Sequence, residues 1–159
     1  MKKSNQCGFT LLELIIVIIL TGIIVGVATM ILQEGFNAIL KGKNLIDANW
    51  QGRIALERMT RDMLGVRSRN DISTATASQF TFTDSSGTSI SYNLSGTTLL
   101  RNSIPLADGI QSLTFSYADK NGVSTSTTTD IRYVSTSLNV TQGGANFTIS
   151  TSVYPRNLL

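Results

Sequence analysis

The sequence predicts an α+β fold: a long N-terminal helix, transmembrane and then amphipathic, packed on a C-terminal antiparallel β-sheet. Three observations predict it. Residues 9–32 form an apolar run with one ionisable side chain, apolar residues then recur every three to four positions, and the chain finally turns into short alternating runs rich in serine and threonine. The expected segments are 1–8 as a leader peptide, 9–32 as the apolar helix, 33–70 as its amphipathic continuation and 71–159 as a sheet domain. The length of 159 residues accommodates about one domain and a helical arm.

The run FTLLELIIVIILTGIIVGVATMIL would span roughly 36 Å as a helix. That exceeds the ~30 Å hydrocarbon thickness of a bilayer, so it is long enough to cross one. A secretory signal loses its apolar stretch on cleavage, whereas the basic leader MKKSNQCG meets this run directly at Gly8, and a cut there keeps the anchor. Cys7 does not fit a lipoprotein signal, which needs an apolar stretch before its cysteine. Lys2 and Lys3 favour a cytoplasmic N-terminus, with the C-terminal region on the other side.

Glu13 is the one ionisable side chain between Phe9 and Leu32. A carboxylate at membrane depth costs on the order of 2.5–3.5 kcal/mol or more unless it is paired. Cleavage after Gly8 would give Phe9 a free α-ammonium group four residues before Glu13, which supplies the missing cation. Between neighbouring chains, a pair made by Glu13 of one and the Phe9 amine of the next would set the axial stagger of a helical bundle.

Beyond the membrane stretch, Phe36, Ile39, Leu40, Ile46, Trp50, Ile54, Met59, Met63 and Val66 recur at helical spacing, which continues the helix to about Val66. Trp50 and the two methionines are expected on the stripe that packs against the sheet. Lys41, Lys43, Arg53, Arg58, Arg61 and Arg67 lie among Asp47, Glu57 and Asp62, as on a solvated face with local ion pairs.

After Asn70, Phe80 and Phe82 in SQFTFT and Ile90, Tyr92 and Leu94 in SISYNL flank the hairpin composition Asp84-Ser85-Ser86-Gly87. Leu113, Phe115 and Tyr117 alternate before the turn signal Asn121-Gly122, and a Gly143-Gly144 loop separates DIRYVSTSLNV from NFTISTSV. Four to six antiparallel strands are expected, with one face under the helix.

Several function classes are excluded. The chain has no histidine and its one cysteine lies in the leader, which removes histidine-dependent nucleophiles and the commonest zinc ligands. No phosphate-cradling glycine motif occurs. No enzymatic activity and no cofactor or metal is expected. Asp119-Lys120-Asn121-Gly122 lacks the EF-hand spacing and reads as a turn. Lys2 and Lys3 are two of the 13 basic residues against 10 acidic ones, so their removal lowers the charge from +3 to +1 and gives nucleic acid no support as a partner.

The octapeptide Gly8-Phe9-Thr10-Leu11-Leu12-Glu13-Leu14-Ile15 resembles the processing and polymerisation motif of type IV pilins and type II secretion pseudopilins. RIALERMTRDM, LADGIQSLTFSYADKNG and the terminal SVYPRNL are similar to PilW-like minor pilins and J-type pseudopilins. The resemblance implies a type IV pilin-like fold, and cleavage between Gly8 and Phe9 by a prepilin peptidase that also N-methylates Phe9. It implies an assembly salt bridge between Glu13 and the Phe9 amine. The implied partners are that peptidase and N-methyltransferase, other minor and major pilins or pseudopilins, and an inner-membrane assembly platform. The implied location is the bacterial inner membrane, single pass with a periplasmic C-terminal domain, and then a pilus or pseudopilus. Major pilins often carry a helix-breaking proline and a C-terminal disulfide loop; Pro105 and Pro155 lie far from the helix and no cysteine pair exists, which points to a minor pilin or a pseudopilin.

Overall fold

A computed structural model describes residues 9–158, so the leader 1–8, with Lys2, Lys3, Cys7 and Gly8, lies outside the described residues. The expected α+β class is observed: one helix, α1 (Leu11–Leu64), followed by eight antiparallel strands. The chain divides into two compact units, one up to Leu40 and one from Lys41 onward.

In the first unit, α1 contains a stretch with a mean hydropathy of 3.0, long and apolar enough to cross a membrane. Its apolar side chains are exposed, Leu11, Leu12, Ile18, Ile24, Met30 and Leu32 among them. Thr21 and Thr29 turn their hydroxyls inward along the helix, donating to the carbonyls of Val17 and Val25 at 2.7 and 2.8 Å. The two hydroxyls are thereby satisfied without a partner outside the helix.

In the second unit, residues from Lys41 to Leu64 bury Ala48, Gly52, Ala55, Leu56, Met59 and Met63. These positions recur at intervals of three and four and form the face toward the sheets. Met59 and Met63 occupy the core as expected, but Trp50 is 64% exposed and Ile46 and Ile54 are exposed with it. Two residues turn an α-helix by about 200°, so Trp50 stands almost opposite Gly52. The small residues are what permit close approach: a Cβ on Gly52 would lie 3.1 Å from Ile149 Cγ2 and 3.2 Å from Val140 Cγ2. The helix ends at Leu64, two residues before the expected limit, and Val66 already bridges to Asp84.

The single sheet expected from the sequence is two sheets. β1 (Ile72–Ala75), β2 (Gln79–Thr83), β3 (Ser89–Ser95), β4 (Thr98–Arg101) and β5 (Ile104–Ala107) pair in chain order, and β6 (Ile110–Ala118), β7 (Tyr133–Gln142) and β8 (Ala145–Val153) form the second. The DSSG hairpin joins β2 to β3 with Phe82 opposite Ile90, and Asp84 caps it by accepting from the N–H groups of Ser86 and Thr88 at 2.9 and 2.8 Å. Gly143 and Gly144, with φ of 52° and 81°, make the two-residue β7–β8 turn, a conformation that favours glycine at both positions. Asn121-Gly122 lies in a turn closed by Asp119, whose carboxylate accepts from the N–H groups of Asn121 and Val123. The chain then runs through the 3-10 turn Thr128–Asp130 before entering β7.

The two sheets share one core. Phe80 of β2 meets Phe115 and Tyr117 of β6 at centroid distances of 5.8 and 5.6 Å, and its own neighbour Phe82 at 5.0 Å. Main-chain bonds from Phe115 N–H to Ala77 O and from Ile110 N–H to Thr97 O stitch the sheets together. Burial of these aromatic rings stabilises the head.

Candidate functional site: the N-terminal processing and assembly segment

Phe9 and Thr10 precede α1, and Glu13 lies in its first turn. The Thr10 hydroxyl accepts from the N–H of Glu13 at 3.3 Å, and the Thr10 carbonyl accepts from Leu14 N–H. Thr10 therefore acts as the N-cap and Glu13 as the third helical residue, the Thr-x-x-Glu spacing of a capping box. This role was legible as Thr-x-x-Glu at the head of an apolar run, yet the cost of the buried charge drew attention to Glu13 alone. A carboxylate in the first turn also suits the positive end of the helix dipole.

Phe9 is 82% exposed. Accessibility is what a peptidase acting on the adjoining peptide bond requires. Gly8, the other half of the expected cleavage pair, lies outside the described residues. Phe9 stands two residues ahead of the helix, so it and Glu13 are separated by the Thr10 cap and not by a full helical turn.

The ion pairs expected on the amphipathic segment are present in part. Glu57 accepts from Arg61 at 3.0 Å on an exposed surface, where such pairs contribute little. Asp62 is different, because its side chain is only 9% exposed. Its carboxylate accepts from Tyr92 OH at 2.7 Å and from Arg101 Nε at 2.6 Å, and faces Arg58 Nε at 3.3 Å. Burial first, and then the Asp62 carboxylate, push the Tyr92 phenol well above the ordinary tyrosine range, so it stays a donor. Asp62 locks α1 to β3 and β4, a structural role that a charge on a helix surface did not announce.

Among the described residues, no group of three or more His, Cys, Asp or Glu side chains converges as a metal site would require. Asp119 and Asp130 share a small surface depression with Lys120 and Arg132, which offset their charge.

No curated protein matches the chain. Residues 3–29 match the family described as the prokaryotic N-terminal methylation motif. That match spans the basic leader, Phe9, the Thr10 cap, Glu13 and most of the apolar helix, and together with the α+β fold it supports a type IV pilin-like reading of the chain.

Proposed function

We propose that the chain is a minor pilin, a structural subunit that enters a type IV pilus after cleavage behind Gly8 and N-methylation of Phe9 by a prepilin peptidase. The observation that carries this reading is the methylation motif over residues 3–29, with Glu13 as the one ionisable side chain between Phe9 and Leu32. The chain starts as a single-pass inner-membrane protein with a periplasmic head. Its apolar helix then leaves the bilayer for the filament, where other pilin helices replace lipid around it. The Glu13 carboxylate pairs with the Phe9 ammonium of a neighbouring chain, because an unpaired charge in an apolar bundle is costly. The exposed apolar residues Phe36, Ile39, Ile46 and Trp50 support packing against further helices.

The same motif serves type II secretion pseudopilins, which use such a helix for a short periplasmic filament, and this is the second reading. A deletion phenotype separates them: loss of pilus-dependent surface motility supports the pilus, and loss of exoprotein release with motility intact supports the pseudopilus. Mass spectrometry of assembled protein tests the common step. The expected N-terminus is methylated Phe9; an intact Met1 in the assembled form would refute it. Glu13→Leu is expected to be processed and inserted but to fail in assembly.

A further inference from the structure

The two sheets have four edges, and three of them are closed. β1 and β5 are four residues each, each joined to its neighbour through an irregular register, and β5 carries Pro105. β6 is covered by main-chain bonds, with Phe115 N–H donating to Ala77 O and Thr125 N–H to Tyr117 O. These are devices that keep a strand from pairing with another chain.

β8 has none of them. It is nine residues long, pairs with β7 in unbroken register from Val134–Val153 to Gln142–Ala145, and contains no charge and no proline. Register fixes which groups are free. Since β6 directs Phe115 and Tyr117 outward, β7 turns Val134, Thr136, Leu138 and Val140 toward β8. Their partners Val153, Thr151, Ile149 and Phe147 are thus used, and the N–H and C=O groups of Asn146, Thr148, Ser150 and Ser152 point to the open edge. Among the described residues, no other segment hydrogen-bonds to them.

Beside that edge, α1 overhangs the sheet. Thr136, Leu138 and Val140 on β7 are buried, but Phe147, Ile149 and Thr151 on β8 are only half-buried. The space left beyond them is a groove of about 540 Å³ with Leu56, Leu64 and Ile149 as its apolar lining and Arg53, Glu57 and Arg61 on its helix side. Arg53 also lines a second depression of about 370 Å³, together with Trp50 and Phe147. Glu57 and Arg61 offset each other at 3.0 Å, which leaves the groove one net positive charge, at Arg53.

We propose that this edge takes up an extended, acidic segment of a different protein chain as a fourth strand of the β6–β8 sheet. Extended backbone is the chemistry that the four open main-chain positions select. Apolar side chains of the segment would cover Leu56, Leu64 and Ile149, and a carboxylate would meet Arg53. A second copy pairing through β8 is a poorer occupant, because Ala145–Val153 brings no charge for Arg53.

The test is backbone amide hydrogen exchange on the full chain in detergent micelles. The probe is a capped nine-residue peptide of alternating threonine and valine with one glutamate at a valine position. At millimolar peptide, exchange at Asn146, Thr148, Ser150 and Ser152 is expected to slow about tenfold, with Phe147, Ile149 and Thr151 unchanged. The same peptide with lysine for glutamate is expected to bind about tenfold more weakly. Ser150→Pro removes an N–H that β7 does not use, so this variant is expected to fold and to lose the effect. A peptide N-methylated along its pairing side, which leaves the chain unaltered, is expected to have no effect. No slowing at the four amides, equal slowing with the N-methylated peptide, or slowing that rises with protein concentration in the absence of peptide would overturn the proposal. The last result would assign the edge to a second copy.

Discussion

Replacing Asp62 with alanine removes the one carboxylate that ties α1 to β3 and β4, and the cost follows from what is left behind. Tyr92 is fully buried, and its phenol loses the acceptor at 2.7 Å. Arg101, whose side chain is 25% exposed, loses its partner at 2.6 Å and keeps a largely desolvated charge. Breaking a buried ion pair costs about 3–5 kcal/mol, and a stranded neutral donor about 1–3 kcal/mol. The exposed fraction of Arg101 and the long 3.3 Å contact with the more exposed Arg58 take the ion-pair loss below that range, to about 2 kcal/mol, and with about 1 kcal/mol for the phenol the sum is about 3 kcal/mol. For a head of this size that corresponds to a Tm lower by roughly 10 °C. Urea unfolding of the full chain in micelles, followed by the near-UV circular dichroism of the tyrosines, measures it. Arg101→Met alone is expected to cost less, and the Asp62→Ala penalty is expected to shrink by at least ~1 kcal/mol in that background. A penalty below ~1 kcal/mol, or one unchanged by Arg101→Met, would show that the contact is not a desolvated lock.

Gly52→Val forces branched carbons into a site where even a Cβ lies 3.1 Å from Ile149, and is expected to destabilise the head by about 1–3 kcal/mol in the same assay. At low pH the sign is fixed by Asp71, Asp84 and Asp119, whose carboxyls are held below the usual carboxylate range, respectively by the Arg67 side chain, by the Ser86 hydroxyl with the Thr88 N–H, and by the Val123 N–H. Their stabilisation is present above the ordinary aspartate value and is lost as pH falls through the depressed ones, so the urea midpoint is expected to drop below about pH 4. Asp84→Asn is expected to flatten that decline; an unchanged profile would remove Asp84 from the account. At high pH the buried phenols of Tyr92 and Tyr117, both shifted upward, reverse the sign, because the unfolded chain ionises first. Stability is expected to fall from about pH 10 upward, with the 295 nm absorbance change of these two rings coinciding with unfolding.

Much of this fold was legible where a pattern was long enough to repeat. QFTFT, SISYNLS and the two strands around Gly143-Gly144 alternate cleanly and appear as β2, β3, β7 and β8. β4 and β5 are four residues each, TLLR and IPLA, too short to show a period and in one case interrupted by proline. The division into two sheets was not legible either, because it depends on Phe80 meeting Phe115 and Tyr117 across more than thirty residues of chain. At the N-terminus, the apolar span, Phe9 and Glu13 stood out through the single charge, while the Thr10 cap went unread. The Asp62 lock was hidden for a physical reason: its partners Tyr92 and Arg101 come from other elements, and the neighbouring Arg58 offered a sufficient local explanation.

The placement of large and small side chains on α1 is unusual for a helix that serves one domain. A helix serving only its own domain turns its large apolar residues inward and its small or charged ones outward. Residues 41–64 do the reverse over half their length: Ala48, Gly52 and Ala55 face the sheets, while Ile46, Trp50 and Ile54 face away. Small residues bring the helix within contact distance of Val140 and Ile149, so the head gains close packing without spending bulky side chains on it. The bulky ones are then left for a surface outside the head, continuous in sequence with the exposed Phe36, Ile39 and Leu40. Such an allocation burdens a free monomer with exposed apolar surface, and it becomes favourable only if other helices cover that surface, which is the condition a filament subunit meets.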